Sequence, residues 1–219
     1  MADSFFTIEQ MGEAQFVEKR SRFLAFAHPI VSEDEAKDIV AGIRKTYYDA
    51  RHVCYAYALG HDVWTEDYDA VALGHAITRA NDDGEPGGSA GKPILGQLRA
   101  RNLTNVLVAV VRYFGGVKLG TGGLAVAYKT AASDALDQTA IVEKLIMSRF
   151  RIEVPYTEAD TAMRYIRDGG AEIVERNYTA NSTILTIEIR QSLEESARRR
   201  LEKIYTLRFL DDNDAHEVE

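Results

Sequence analysis

VLVAVVRY at Val106–Tyr113 runs directly into FGGVKLGTGG at Phe114–Gly123. The first segment is a near-continuous β-branched and apolar run, the pattern of a strand buried on both faces. Structure must therefore cover it from two sides. The second segment is a glycine-rich loop, and a helix over about Leu124–Leu136 closes the unit. Ten of the 16 glycines lie between Gly84 and Gly123, so backbone freedom is concentrated in two loops. These loops flank the strand and a short helix that carries Ile94, Leu95 and Leu98 behind Pro93, a residue suited to a first turn.

Upstream, strand-like stretches occur at Phe5–Ile8 and Phe23–Ile30. Ser32 and Glu35 form an S-x-x-E capping box, in which the carboxylate returns to the cap residue. Ala36, Ile39, Val40, Ile43 and Tyr47 then recur at the helical period. His52–Leu59 alternates as a strand, with Val53, Tyr55, Tyr57 and Leu59 on one face and His52, Cys54, Ala56 and Ala58 on the other. A loop through Trp64 and a strand around Val71–Thr78 lead into the turn-rich NDDGEPGGSAGKP. Past Glu143 the predicted order is β-α-β-β-α-β: a strand at Phe150–Val154, a helix capped by Thr157 and ended by Gly169-Gly170, strands at Ala171–Arg176 and Thr183–Ile189, a helix through Leu193–Ile204, and a strand at Leu207–Leu210. That order is ferredoxin-like. The fold class is α+β in two domains, residues 1–144 and 145–210, followed by an acidic tail at 211–219.

With 219 residues, 46% hydrophobic and 27% charged, the chain is of globular composition, and its length suits two domains. The longest aliphatic run, Val106–Val111, is far short of the ~20 apolar residues that cross a bilayer. The first residues lack a signal-peptide pattern, so a cytoplasmic location and no membrane partner are expected. A single cysteine, Cys54, leaves no internal disulfide and no Cys-based zinc cluster. The net charge of -8 argues against indiscriminate nucleic-acid binding. Yet Gly84–Gly123 holds five basic and one acidic side chain, a local net charge of +4.

Several motifs are near misses. GGSAG at Gly87–Gly91 fits G-x-S-x-G, but it follows a charged loop instead of a buried strand, and only His216 comes after it. Ser89 reads better as a helix cap. GSAGKP lacks the first glycine and the hydroxyl residue of a P-loop. Gly120, Gly122 and Ala125 meet only a relaxed dinucleotide fingerprint. Asp82, Asp83 and Glu85 favour a turn over a metal cluster, and no cofactor is implied. His52 and Cys54 read as core groups, while Arg198–Arg200 read as a helix face paired with Glu194 and Glu195. RYFGGVKL only partly matches an RNA-binding strand motif.

One constellation survives. Arg112 and Tyr113 end the buried strand, the loop supplies Gly115, Gly116, Lys118, Gly120, Thr121, Gly122 and Gly123, and a helix follows. Free N–H groups, a helix dipole and two cations suit a phosphate or carboxylate. The neighbouring loop contributes Asp82, Asp83, Glu85, Ser89 and Lys92. The alternative is conformational: glycines for a tight crossover, Arg112 paired with Asp82, Asp83 or Glu85, and a solvated Lys118.

RSRF at Arg20–Phe23, ARHVCYAY at Ala50–Tyr57, DDGEPGGSAGKPIL at Asp82–Leu95 and RYFGGVKLGTGGL at Arg112–Leu124 together resemble the IMPACT/YigZ family over roughly Phe16–Leu136. The resemblance implies a first domain folded like the second domain of ribosomal protein S5 and a second like the C-terminal domain of elongation factor G. Eukaryotic relatives regulate translation by competing for an activator of a stress kinase, and bacterial relatives are suspected nucleic-acid or ribosome binders. The implied role is non-catalytic, with RNA, ribosome or a protein as partner. The alternative is an enzyme or sensor for a phosphorylated small molecule, since kinases share the S5-like fold. Where the family pattern has Arg after GTGGL, this chain has Val126, which weakens the anion site if that arginine serves it.

Overall fold

The structure, a computed structural model, describes residues 3–61, 63–64 and 76–210. The chain divides into two compact units, Ser4–Lys144 and Met1–Asp3 with Leu145–Glu219. Both combine helices with antiparallel sheets. Among the described residues no helix is long and apolar enough to cross a membrane.

In the Ser4–Lys144 unit the apolar run forms the middle strand β6 (Val106–Tyr113) of a five-stranded sheet. Its neighbours are β3 (Ser21–Pro29) and β4 (His52–Leu59), with β2 (Gly12–Glu18) and β5 (Ile77–Asn81) at the edges, in the order β2-β3-β6-β4-β5. Every pairing is antiparallel. Alternation along β6 feeds two cores. Val106, Val108 and Val110 join Cys54, Ala56 and Ala58 beneath α2 (Gly91–Ala100) and α3 (Gly120–Leu136). Leu107, Ala109 and Val111 join Val53, Tyr57 and Leu59 against α1 (Glu33–Thr46). Each fully buried Val or Leu side chain among them contributes about 1.5–3 kcal/mol. A pair of strands, β1 (Ser4–Ile8) and β7 (Ile141–Leu145), completes the unit.

α1 is capped as its sequence requires, with Glu35 N–H donating to Ser32 Oγ at 3.2 Å. The Glu35 carboxylate, however, takes the N–H of Val31 at 2.7 Å, one residue before the cap. The strand expected at Val71–Thr78 lies mostly outside the described residues, and the observed β5 carries on to Asn81. α3 starts at Gly120, four residues before the expected start, so Thr121, Gly122 and Gly123 form its first turn instead of a loop.

In the other unit, β8 (Met147–Pro155), α4 (Ala159–Asp168), β9 (Glu172–Tyr178), β10 (Ser182–Arg190), α5 (Gln191–Leu201) and β11 (Arg208–Leu210) follow one another. The four strands lie antiparallel in the order β11-β8-β10-β9. Phe150, Ile152, Val154, Leu185, Ile187 and Ile189 meet Ala162, Ile166, Ala197 and Leu201 of the helices. Thr157 caps nothing: it sits inside a 3-10 turn, Tyr156–Glu158, and α4 has no side-chain cap. Gly170, at φ +75, ends α4 as expected of the glycine pair, letting Gly170 and Ala171 N–H reach the carbonyls of Arg167 and Ile166. On α5, Arg198 bonds Glu194 at 2.6 Å and covers the Phe150 ring, while Arg199 pairs with Glu195. This is a paired helix face. The acidic tail lies outside the described residues.

Candidate functional site

The loop between β5 and α2 is organised by one carboxylate. Asp82 accepts N–H bonds from Gly88 at 2.8 Å, Ala90 at 3.0 Å and Gly91 at 2.8 Å. It therefore caps the start of α2, the task expected of Ser89, whose buried hydroxyl has no partner. Gly91 is needed there because a Cβ would lie 2.6 Å from the Asn81 nitrogen. Asp83 takes Val53 N–H through Oδ2 at 2.6 Å and pairs through Oδ1 with Arg44 at 2.6 Å. Its carbonyl meets His52 Nδ1 at 2.7 Å. Both aspartates thus build the turn, and among the described residues no group of His, Cys, Asp and Glu is placed to hold a metal.

Glu85 turns inward. Its Oε1 accepts from Arg112 Nη1 at 2.6 Å and from the Tyr128 hydroxyl at 2.8 Å. The side chains of Arg112 and Glu85 are only 8% and 4% exposed, and Arg112 Nε–H is buried with no partner. Of the three partners open to Arg112 in the sequence, the fold selects Glu85. Beneath them the Cys54 thiol donates to the Asp82 carbonyl at 3.0 Å. Burial pushes that thiol up to about 12 and raises the Tyr128 phenol as well. Cys54 is therefore a protonated core group at neutral pH, not a nucleophile.

The glycine-rich loop is held by a hairpin that the sequence did not mark as part of the site. Lys19 and Arg20 turn between β2 and β3 at φ 46 and 66, positions that normally hold Asn or Gly. Gly115 lies against this turn: a Cβ there would fall 2.1–2.3 Å from backbone atoms of Arg20 and Ser21. Gly115 N–H also donates to Ser21 Oγ at 3.2 Å. Only RSRF at Arg20–Phe23 hinted at this element. Gly115→Ala must therefore separate the loop from the hairpin, and urea denaturation is expected to show a loss of about 2 kcal/mol, in the range of overpacking.

Together these elements enclose a cleft of about 360 Å³. The nearly buried Glu85 and Arg112 line it, and Lys118, Gly120 and Thr121 come from the loop and the first turn of α3. Arg51, His52 and Phe114, which the sequence did not assign to the site, also line it. No side chain caps α3, and no acidic residue stands in its first turn. Its positive end is therefore open to an anion. The other expected residues lie elsewhere. The Tyr113 hydroxyl bonds Asp49 at 2.7 Å on the α1 side of the sheet. Lys92 lines a separate depression with Trp64 and Arg99. Gly115, Gly116, Gly122 and Gly123 shape the backbone without lining the cleft, and exposed Val126 does not line it either.

Comparison with known proteins places these features in context. The family model for the Impact N-terminal domain matches residues 19–136. The IMPACT family member YvyE of Bacillus subtilis is 35% identical over 181 residues, 83% of this chain and 78% of the relative. The IMPACT family member YigZ of Escherichia coli is 33% identical over 162 residues, 74% of each chain. A crystal structure described as that of a hypothetical protein aligns over 96% of this chain and 98% of its own, at 26% identity and a TM-score of 0.66.

Proposed function

The chain belongs to the IMPACT family, and from that premise and the cleft's geometry we propose that it is a non-catalytic, cytoplasmic regulator of translation that binds RNA through this cleft. The Ser4–Lys144 unit is then the S5-domain-2-like domain, and the βαββαβ unit the ferredoxin-like one, akin to the C-terminal domain of elongation factor G. One observation carries the reading. A nearly buried arginine lines the same cleft as the uncapped start of α3, with Lys118 and Arg51 also in the lining. Such a site attracts a phosphate through helix-end N–H groups and cations. It is local, so it is compatible with an acidic chain: a net charge of -8 disfavours wrapping of bulk nucleic acid while leaving one anchored phosphate. The ribosome is the natural source of such RNA.

The test is the affinity for single-stranded RNA, measured by fluorescence anisotropy across salt. Affinity is expected to fall with salt, and Lys118→Ala to lower the slope by about one charge. No binding at low salt, or a flat slope, would sink the reading. A second reading, a phosphorylated small molecule, is favoured by the cleft's volume of about 360 Å³, which falls within the range of small-ligand pockets.

A further inference from the structure

We infer, resting on that RNA-binding reading, that the tip of the β2–β3 hairpin, Lys19 and Arg20, is a second phosphate contact for the RNA strand held in the cleft. The turn is a two-residue loop, since Glu18 pairs with Ser21 across the two strands. Lys19 and Arg20 hold φ 46 and 66, the left-handed region that such a loop takes at both central positions and that Asn-Gly fills best. Among the described residues five non-glycine residues have positive φ, and three of them, Asp83, Asn102 and Asn105, are of the types whose short polar side chains tolerate it. Lys19 and Arg20 are the two that are not. Strain kept where a better residue pair exists points to a function carried by the side chains.

The fold does not call on those side chains. Both are exposed, and among the described residues neither enters an ion pair. The hairpin supports the glycine-rich loop through its backbone: a Cβ on Gly115 would strike the Arg20 carbonyl group and the Ser21 nitrogen. Gly115 follows Phe114, which lines the cleft, so turn and cleft are joined through a single residue. Glu18–Arg22 carries three cations against one carboxylate. A phosphorylated small molecule seated in the cleft ends there. An RNA strand continues, and its phosphates repeat along the chain. A strand anchored by one phosphate at Lys118 therefore has further phosphates to offer the two long, flexible cations beside the loop.

The test is the double variant Lys19→Asn, Arg20→Gly in the full chain, which gives the turn its preferred residues and keeps the backbone that meets Gly115. Stability and binding are expected to move in opposite directions. The urea midpoint should rise by on the order of 0.5 M as the strain is relieved. The affinity for a short single-stranded RNA, measured by fluorescence anisotropy, should fall about tenfold at 0.1 M salt. Its slope against log salt should drop by about 1.4, two contacts at ~0.7 each. The control is Lys45→Gln with Lys144→Gln, two exposed cations outside the hairpin and the cleft lining. It removes the same charge and is expected to change affinity by less than about twofold, because distant exposed charges are screened. A double variant no more stable than the wild type, or a stabilised one that binds RNA like the wild type or the control, overturns the inference and leaves the cleft's phosphate site standing. Failure of the wild type to bind RNA overturns both.

Discussion

Arg112→Ala is expected to lower the unfolding free energy by about 3–5 kcal/mol, the cost of leaving one member of a buried ion pair alone. Arg112 and Glu85 are 8% and 4% exposed and 2.6 Å apart. After truncation the carboxylate keeps only the Tyr128 hydroxyl, 2.8 Å from Oε1. Urea denaturation followed by circular dichroism measures the loss. Adding Glu85→Gln to Arg112→Ala removes the stranded charge and is expected to restore a large part of it, because the penalty lies in the unpaired ion more than in the lost bond. Arg112→Lys is expected to restore little. The guanidinium also lies 5.6 Å from the Phe23 ring, a placement that a point charge on a flexible stem does not reproduce. If Arg112→Ala stays within about 1 kcal/mol of the native protein, the pair is not buried as described.

Asp82→Ala comes next, at about 3 kcal/mol, since hydrogen bonds to a charged group contribute ~1.5–3 kcal/mol each and three that share one acceptor are not additive. The N–H groups of Gly88, Ala90 and Gly91 lose their acceptor together, and α2 loses its cap. The pH dependence has a definite sign. Desolvation acts to raise the Asp82 carboxyl, but the three backbone bonds outweigh it, and the folded value lies below the ordinary 3.8. The stabilisation is therefore fully present above 3.8 and is lost as pH falls through the lower folded value. Asp82→Asn removes this part of the acid transition, which a pH series of denaturation curves checks. A wild-type and an Asp82→Asn curve with the same acid limb would rule the cap out.

The fold was legible where a local pattern carried it. The unbroken run Val106–Val111 could be satisfied only by a central strand covered on both sides, and the alternation along His52–Leu59 divides its residues between the two cores as observed. The start of α3 was less so. Glycines read as a loop because each costs about 1 kcal/mol in a helix, yet burial of Leu124, Ala127 and Tyr128 draws Gly120–Gly123 into it. Ser89 misled for a related reason. Cap rules look at neighbours in sequence, whereas Asp82 reaches the start of α2 across a turn, eight and nine residues away.

The candidate site was half visible. Lys118, Gly120 and Thr121 announced themselves by composition, and Glu85 stood among three possible partners of Arg112. The hairpin under Gly115 did not, because Lys19 and Arg20 carry none of the turn chemistry that positive φ usually selects. Nor did Phe114 and Arg51, which are ordinary residues until the strands place them beside the buried pair.

The most direct measurement is a crystal structure of the full chain grown with a saturating short single-stranded RNA. One RNA phosphate is expected within about 3 Å of the Lys118 ammonium and the first-turn N–H groups of α3. An empty cleft at saturation, or RNA bound elsewhere on the chain, would contradict the proposed function.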